Sequence, residues 1–242
     1  MLDILTPDAL DPTPRTATAL AKLADESVRG EAYGQVLREL GYVLGLRLLA
    51  RKGAPDRALA LGMLAEDADT LGQGFLDAMS EQGVDLCIAC LWIRSTRRLE
   101  WLETASVIQE FVEPGFNRRE VLFILTPTLA DRYLLQAQIT RLLELSRLDT
   151  ARVLAPVVDL ESWDLLRRKL PASPPVEAQS FEQVRFSGIF KEESYTRLGL
   201  GTGITKNQHI PQLIRERQSA LLRDWRSGLP GPTPSGRGKP KI

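Results

Sequence analysis

Four groups of side chains in this sequence are of types, and at spacings, that could do chemistry. Glu66, Asp67 and Asp69, followed by Thr70, set three carboxylates within four residues. Such a group can hold a metal ion or be inherited loop structure, but N-capping of the following helix by Asp67 or Asp69 explains most of it without a ligand. Arg94, Ser95, Thr96, Arg97 and Arg98 gather three guanidinium groups, whose planar forks suit bidentate recognition of phosphate or carboxylate. The alternative is an exposed basic turn paired with Glu100, Glu103 or Glu110. Thr126, Thr128, Asp131 and Arg132 follow the apolar run Val121–Leu125 and precede a helical pattern. Asp131 and Arg132 could touch a ligand there, or form a surface ion pair at a helix start. Cys87 and Cys90 form a Cys-x-x-Cys, yet strand alternation puts the two on opposite faces and His209 is the sole histidine. Buried free thiols are therefore expected, not a redox pair or half a zinc site. No residue is assigned a catalytic role, and no metal or cofactor is expected.

The elements that position these groups follow from apolar spacing. Thr16 to Val28 suits a short helix, and the prolines among residues 1–15 suggest an irregular lead-in. Val36, Leu37, Leu40, Val43, Leu44, Leu48 and Leu49 recur at three-and-four spacing and predict a helix over 31–51, ended by Gly53 and Pro55. Short apolar runs at 57–63, 84–92, 121–125 and 151–158 predict strands, with helices expected over 69–82, 134–146 and 163–170. These runs are continuous and do not alternate, so the strands are covered on both faces. The fold class is α/β: a parallel sheet flanked by helices. A last strand is expected at 184–190 and a C-terminal helix at about 210–225, where an apolar stripe opposes Arg215, Arg217 and Arg223. That helix is expected to dock on its own domain or into a partner chain. The organisation expected is a lead-in over 1–30, an α/β domain over 31–190, a link and helix over 191–226, and a disordered basic tail over 227–242.

Composition bounds the function. Among 242 residues 43% are apolar, enough for one substantial core. The formal charge is zero, from 31 basic and 31 acidic residues, so no global field argues for nucleic acid or an anionic membrane. The balance is uneven, however: from Ser194 onward there are nine Lys and Arg against two acids, leaving 22 against 29 before it. The basic segment 194–242 is expected to be a solubilising tail that lies against the chain's own acidic body, or else to meet an external anionic partner such as nucleic acid. No apolar run is long enough to span a bilayer, and the opening Met-Leu-Asp lacks the features of a secretory signal, so a cytoplasmic protein is expected.

The order of elements over 31–160 resembles the phosphoribosyltransferase fold. It looks most like the orotate-phosphoribosyltransferase-like proteins of tellurium-resistance gene clusters. Three pieces carry the resemblance: Tyr33-Gly34-x-x-Leu37; the turn Leu61-Gly62-Met63-Leu64-Ala65-Glu66-x-Ala68-Asp69-Thr70-Leu71-Gly72-x-Gly74; and Ser95-Thr96-Arg97-Arg98, similar to that family's Thr-Thr-Arg. The resemblance implies a strand ending in two acids that bind ribose hydroxyls, then a glycine-containing loop whose amides wrap the 5-phosphate. Here Thr126-Pro127 replaces the acids, and Thr128-Leu129-Ala130-Asp131-Arg132-Tyr133 contains no glycine. Pro127 lacks an amide hydrogen, and Leu129 and Tyr133 add bulk. The expectation is a degenerate member serving as a non-catalytic binding or scaffolding subunit of a multi-protein assembly, which the resemblance implies is one of stress or phage resistance, with homo-oligomerisation open. The alternatives are an active phosphoribosyltransferase using Mg²⁺, and a nucleic-acid-binding subunit acting through 194–242.

Overall fold

Apolar runs without alternation need cover on both faces, and the chain supplies it. A computed structural model describes residues 8–9, 13–50, 58–99, 102–129, 132–146, 148, 150–184 and 209–226. The elements are β1 (Asp8–Ala9), α1 (Pro14–Ala24), α2 (Gly30–Ala50), β2 (Leu59–Leu64), α3 (Gln73–Glu81), β3 (Leu86–Leu99) and β4 (Leu102–Val112). There follow β5 (Val121–Leu125), β6 (Thr128–Leu129), α4 (Arg132–Leu145), β7 (Thr150–Leu154), β8 (Val157–Asp159), α5 (Leu160–Arg167), β9 (Val176–Ser180), β10 (Glu182–Val184) and α6 (Gln212–Arg226). A 3₁₀ turn over Ala65–Asp67 and a π-wound turn over Ala68–Gly72 lead from β2 into α3.

Two sheets result. The larger has the order β1-β9-β7-β5-β2-β3-β4, parallel except for β4, which runs antiparallel to β3; the smaller has the order β10-β8-β6. The α/β class expected from the strand pattern is what the structure has. Alternate residues of each central strand enter opposite cores. Leu59, Leu61 and Met63 of β2, with Ile88, Cys90 and Trp92 of β3, pack against α1, α2, α3 and the start of α6. Ala60 and Leu64, with Ala89 and Leu91, pack against α4 and α5. Phe75 of α3 meets Phe123 of β5 with ring centroids 6.2 Å apart, a tilted pair that ties helix to sheet.

Four differences from the sequence reading have physical causes. Pro14 opens α1 instead of extending an irregular lead-in: its fixed φ suits the first helical position, and the Thr13 hydroxyl accepts the Thr16 amide at 3.2 Å. The single strand expected over 151–158 breaks at Pro156, which cannot continue a hydrogen-bonded ladder, into β7 and β8 of different sheets. The strand expected to end at Trp92 runs on to Leu99 and turns back as β4, which the sequence reading left unassigned. As an edge strand, β4 exposes Ser106, Ile108, Gln109 and Glu110, so it lacks the continuous apolar run used to find the others. Finally, β9 and β10 are strands the apolar pattern did not announce, and β10 reaches Val184, the first residue of the stretch 184–190 where a strand was expected; residues 185–190, like Gly53 and Pro55 and the tail 227–242, lie outside the described residues.

The glycines of α2 let two helices approach closely. A Cβ on Gly41 would collide with the backbone carbonyl of Leu71 in the π-wound turn, and one on Gly45 with Ala78 of α3. The Leu71 carbonyl belongs to the backbone and cannot swing aside. Gly41→Ala should therefore lower stability by roughly 1–3 kcal/mol or more. A chemical-denaturation midpoint checks this; a midpoint equal to the parent's would contradict the close approach.

Candidate functional site

In a parallel sheet the chain leaves β2 toward β3 on one side, while β5 lies on its other side, so the strand order reverses between β2 and β5. The crevice beyond the carboxyl ends of the strands at such a switch point is the usual ligand position in open α/β sheets. Glu66 to Thr70 follow β2, Thr126 and Thr128 follow β5, and Arg94 to Arg98 continue β3 past the end of β2. The fold thus brings all three candidate segments to one edge.

What those segments do there differs from expectation. Arg94 to Arg98 are not a turn but the outer arm of the β3–β4 hairpin, with Arg94 opposite Ser106 and Arg97 opposite Glu103 in the backbone register. The Arg94 side chain is exposed; those of Ser95, Thr96, Arg97 and Arg98 lie outside the described residues. Glu110, one of the three acids offered as partners for that cluster, is held instead by Arg141 in a bidentate pair at 2.7 and 2.8 Å. The same guanidinium keeps the Glu110 carboxyl below its ordinary range. Asp131 and the side chain of Arg132 also lie outside the described residues; Arg132 is the first residue of α4.

Beyond β5 the described residues 126–129 are bonded within the protein, and residues 130 and 131 lie outside the described residues. The Thr126 amide donates to Leu154 O at 3.2 Å, and its hydroxyl donates to Thr128 O at 3.0 Å. Pro127 is buried. Thr128 and Leu129 then pair in parallel with Val157 and Val158 as β6 of the small sheet. Gln138 of α4 donates to Leu125 O at 3.2 Å. Among the described residues, the side-chain oxygens Thr128 Oγ1, Gln138 Oε1 and Ser180 Oγ are buried without a hydrogen-bond partner.

Beyond β2 the acids were expected to cap the helix that follows. Asp67 is fully buried and its side chain makes no cap bond, while Thr70 donates back to Asp67 O at 3.3 Å. Asp69 does cap a helix, but a distant one: its Oδ2 accepts the Gln212 amide and its Oδ1 the Leu213 amide, each at 2.9 Å. One carboxylate thus satisfies two orphan donors at the positive end of α6. The cap is reinforced by Trp92, whose indole donates to His209 O at 2.6 Å, and by burial of Leu213 and Ile214 in the core. Burying two such side chains stabilises docking by about 1.5–3 kcal/mol each, more than the roughly 1 kcal/mol typical of a cap. The C-terminal helix therefore docks on its own domain, the first of the two expectations. A small groove of about 260 Å³, lined by Gly34, Arg38, Glu66, Asp69, Thr70 and His209, remains beside this contact.

Further along α6, Arg217 Nη1 lies 3.4 Å from Glu113 Oε1, and Glu113 Oε2 accepts the Ile88 amide at 2.8 Å. Burial raises the Glu113 pKa, against the lowering effects of the Ile88 amide and of Arg217. Neither Glu113 nor the pairing of Asp69 with residue 212 could be found from the sequence: the latter contact spans 143 positions and has no local pattern.

The thiols sit as the alternation required, Cys87 in the α4–α5 core and Cys90 in the α2–α3 core, both buried and free. Burial pushes both upward, Cys90 far out of the physiological range. Arg119 donates to Cys87 Sγ at 2.8 and 3.1 Å and partly offsets the effect there. Among the described residues, no group of three or more His, Cys, Asp or Glu is placed to hold a metal ion. The Asp69 oxygens, which a cation would need, are already taken by backbone amides. Among the described residues, no helix is long and apolar enough to cross a membrane.

No protein-family model and no curated protein matches the sequence. Among solved structures the chain is similar to a hypoxanthine phosphoribosyltransferase from Staphylococcus aureus, at 12% identity and TM-score 0.45 over 65% of this chain and 76% of that one. It is similar also to the adenine phosphoribosyltransferase from Trypanosoma brucei in complex with AMP, pyrophosphate and ribose-5-phosphate, at 10% identity and TM-score 0.47 over 88% and 97%. A third is the adenine phosphoribosyltransferase from Thermoanaerobacter pseudethanolicus, at 14% identity and TM-score 0.38 over 62% and 81%.

Two outcomes follow from the edge geometry. Asp69→Ala should speed amide exchange across 209–226 while leaving 59–64 and 86–91 unchanged; equal rates in the two proteins would contradict the cap. At Glu113 a raised pKa means the folded state holds a proton more tightly than the unfolded one. Its contribution is thus fully present below the ordinary carboxyl value and is lost as pH rises through the folded value. Melting curves from about pH 4.5 to 7.5 should show Glu113→Gln gaining on the parent as pH rises; parallel curves would contradict it.

Proposed function

We propose that this chain is a phosphoribosyltransferase-like α/β domain that does not transfer phosphoribosyl groups and serves as a binding or scaffolding subunit of a multi-protein assembly in the cytoplasm. Support for the ancestry comes from the order of elements and from the Leu61–Gly74 turn, which lies at the switch point where such a site would stand. The observation that carries the loss of activity is the path of the chain after β5. Thr128 and Leu129 are strand residues paired to Val157 and Val158, and Pro127 is buried beside them. Transition-state stabilisation for this chemistry needs oriented amides around the phosphate and carboxylates beside the ribose. The described residues 126–129 offer neither.

The assembly is, by the resemblance to tellurium-cluster proteins, one of stress or phage resistance. A pull-down from the source cell identifies its members. The chemical half of the proposal is tested by calorimetric titration of the full chain with phosphoribosyl pyrophosphate and Mg²⁺. No saturable heat is expected up to about 1 mM ligand, a free energy weaker than about −4 kcal/mol. Saturation at micromolar concentrations, lost on Thr128→Val, would overturn it.

A further inference from the structure

The start of α6 sits where open α/β sheets take their ligands. At the end of β2, Leu64 pairs with Leu91 of β3; Trp92 is the next residue of β3, and Asp69 lies in the turn that leaves β2. Both hold α6, so the position beyond the carboxyl ends of these two strands is filled by a helix of the same chain. Asp69, Trp92 and Glu113 hold it through residues 209–217 alone. Pro211 has no amide hydrogen, so the first ones of the helix are those of Gln212 and Leu213, and Asp69 accepts both. Trp92 donates to His209 O, and Arg217 lies 3.4 Å from Glu113. Leu213 and Ile214 are an adjacent buried pair.

We propose that α6 is an autoinhibitory latch: it leaves its seat as one unit while the sheet stays folded, and the vacated seat is a docking site for an amphipathic helix. The chemistry of that helix is set by what α6 presents. Asp69 takes two successive amides at a helix start, the Trp92 indole takes a carbonyl three residues before them, and the hollow takes two adjacent apolar side chains. Release without the sheet follows from how little holds α6. A helix of 15 residues is marginal by itself in water, and elements with few anchors open well before the core of a domain does. A helix arriving from outside competes with α6, so its apparent dissociation constant is the intrinsic one divided by the fraction of molecules with the latch open. This rests on reading the edge as a binding surface.

The probe is a synthetic peptide of residues 209–226, labelled at its C-terminal end and titrated with the full chain by fluorescence anisotropy. The variant Leu213→Ser with Ile214→Ser keeps the seat and loses the apolar pair of its own helix. It should bind the peptide at least about tenfold more tightly than the parent does, which corresponds to a latch closed in nine molecules out of about ten or more. Adding Asp69→Ala to that variant should weaken binding about fivefold by removing the cap. Slow amide exchange over 59–64 and 86–91 shows that the variant is folded. If those amides lose protection, Gln212→Pro takes its place, since it removes one capped amide at an exposed position. Equal affinity in parent and folded variant, no binding to the folded variant, or binding indifferent to Asp69→Ala would each overturn the proposal. The peptide is titrated without any sugar phosphate, so this failure is separate from that of the non-catalytic reading.

Discussion

Backbone amides at the carboxyl edge of a parallel sheet must find acceptors, and the choice of acceptor decides what the edge can do. In a phosphate-binding protein the choice is left open: a glycine-bearing loop points its amides at the place a ligand will fill. Here four amides near the switch point are spent inside the chain. Those of Gln212 and Leu213 end on Asp69, that of Thr126 on Leu154 O and that of Ala155 on Gln179 O. Thr128 and Leu129 are paired in a second sheet with Val157 and Val158. The edge is closed on one flank by a three-stranded sheet and on the other by a helix from the far end of the sequence.

Asp69 shows how one carboxylate can hold such an arrangement. It lies on a π-wound turn, a local widening of the helix that is uncommon outside places with a structural or functional demand. The turn is also closely approached by α2, through Gly41. The same few residues thus set the spacing of two helices against the sheet and anchor a third. His209, 3.9 Å from Asp69 Oδ2, and the Trp92 indole complete the seat. The seat leaves a groove of about 260 Å³, room for a small polar molecule.

Much of the layout was legible in the sequence because central strands buried on both faces write themselves as unbroken apolar runs. The α/β class, β2, β5, α2 and the opposite facing of Cys87 and Cys90 came directly from that pattern. What escaped were elements whose signal is weak or non-local. β4 is an edge strand, so polar residues interrupt it. β6 and β8 are two or three residues long, and the run 151–158 hid the break that Pro156 imposes. The three candidate segments were found one by one in the sequence; that they share one edge, and what they bond to there, came from the structure. A carboxylate that caps a helix 143 positions away looks, in sequence, like one that caps the helix beside it.

The account stands on the claim that the backbone after β5 is a paired strand and not an anion-binding loop. The most direct measurement is residue-resolved amide exchange at Thr128 and Leu129, with and without phosphoribosyl pyrophosphate and Mg²⁺. Slow exchange of the ladder-bonded amides, comparable to β8 and unaltered by ligand, is the predicted result. Fast exchange in the free protein that becomes slow on adding the ligand would contradict it.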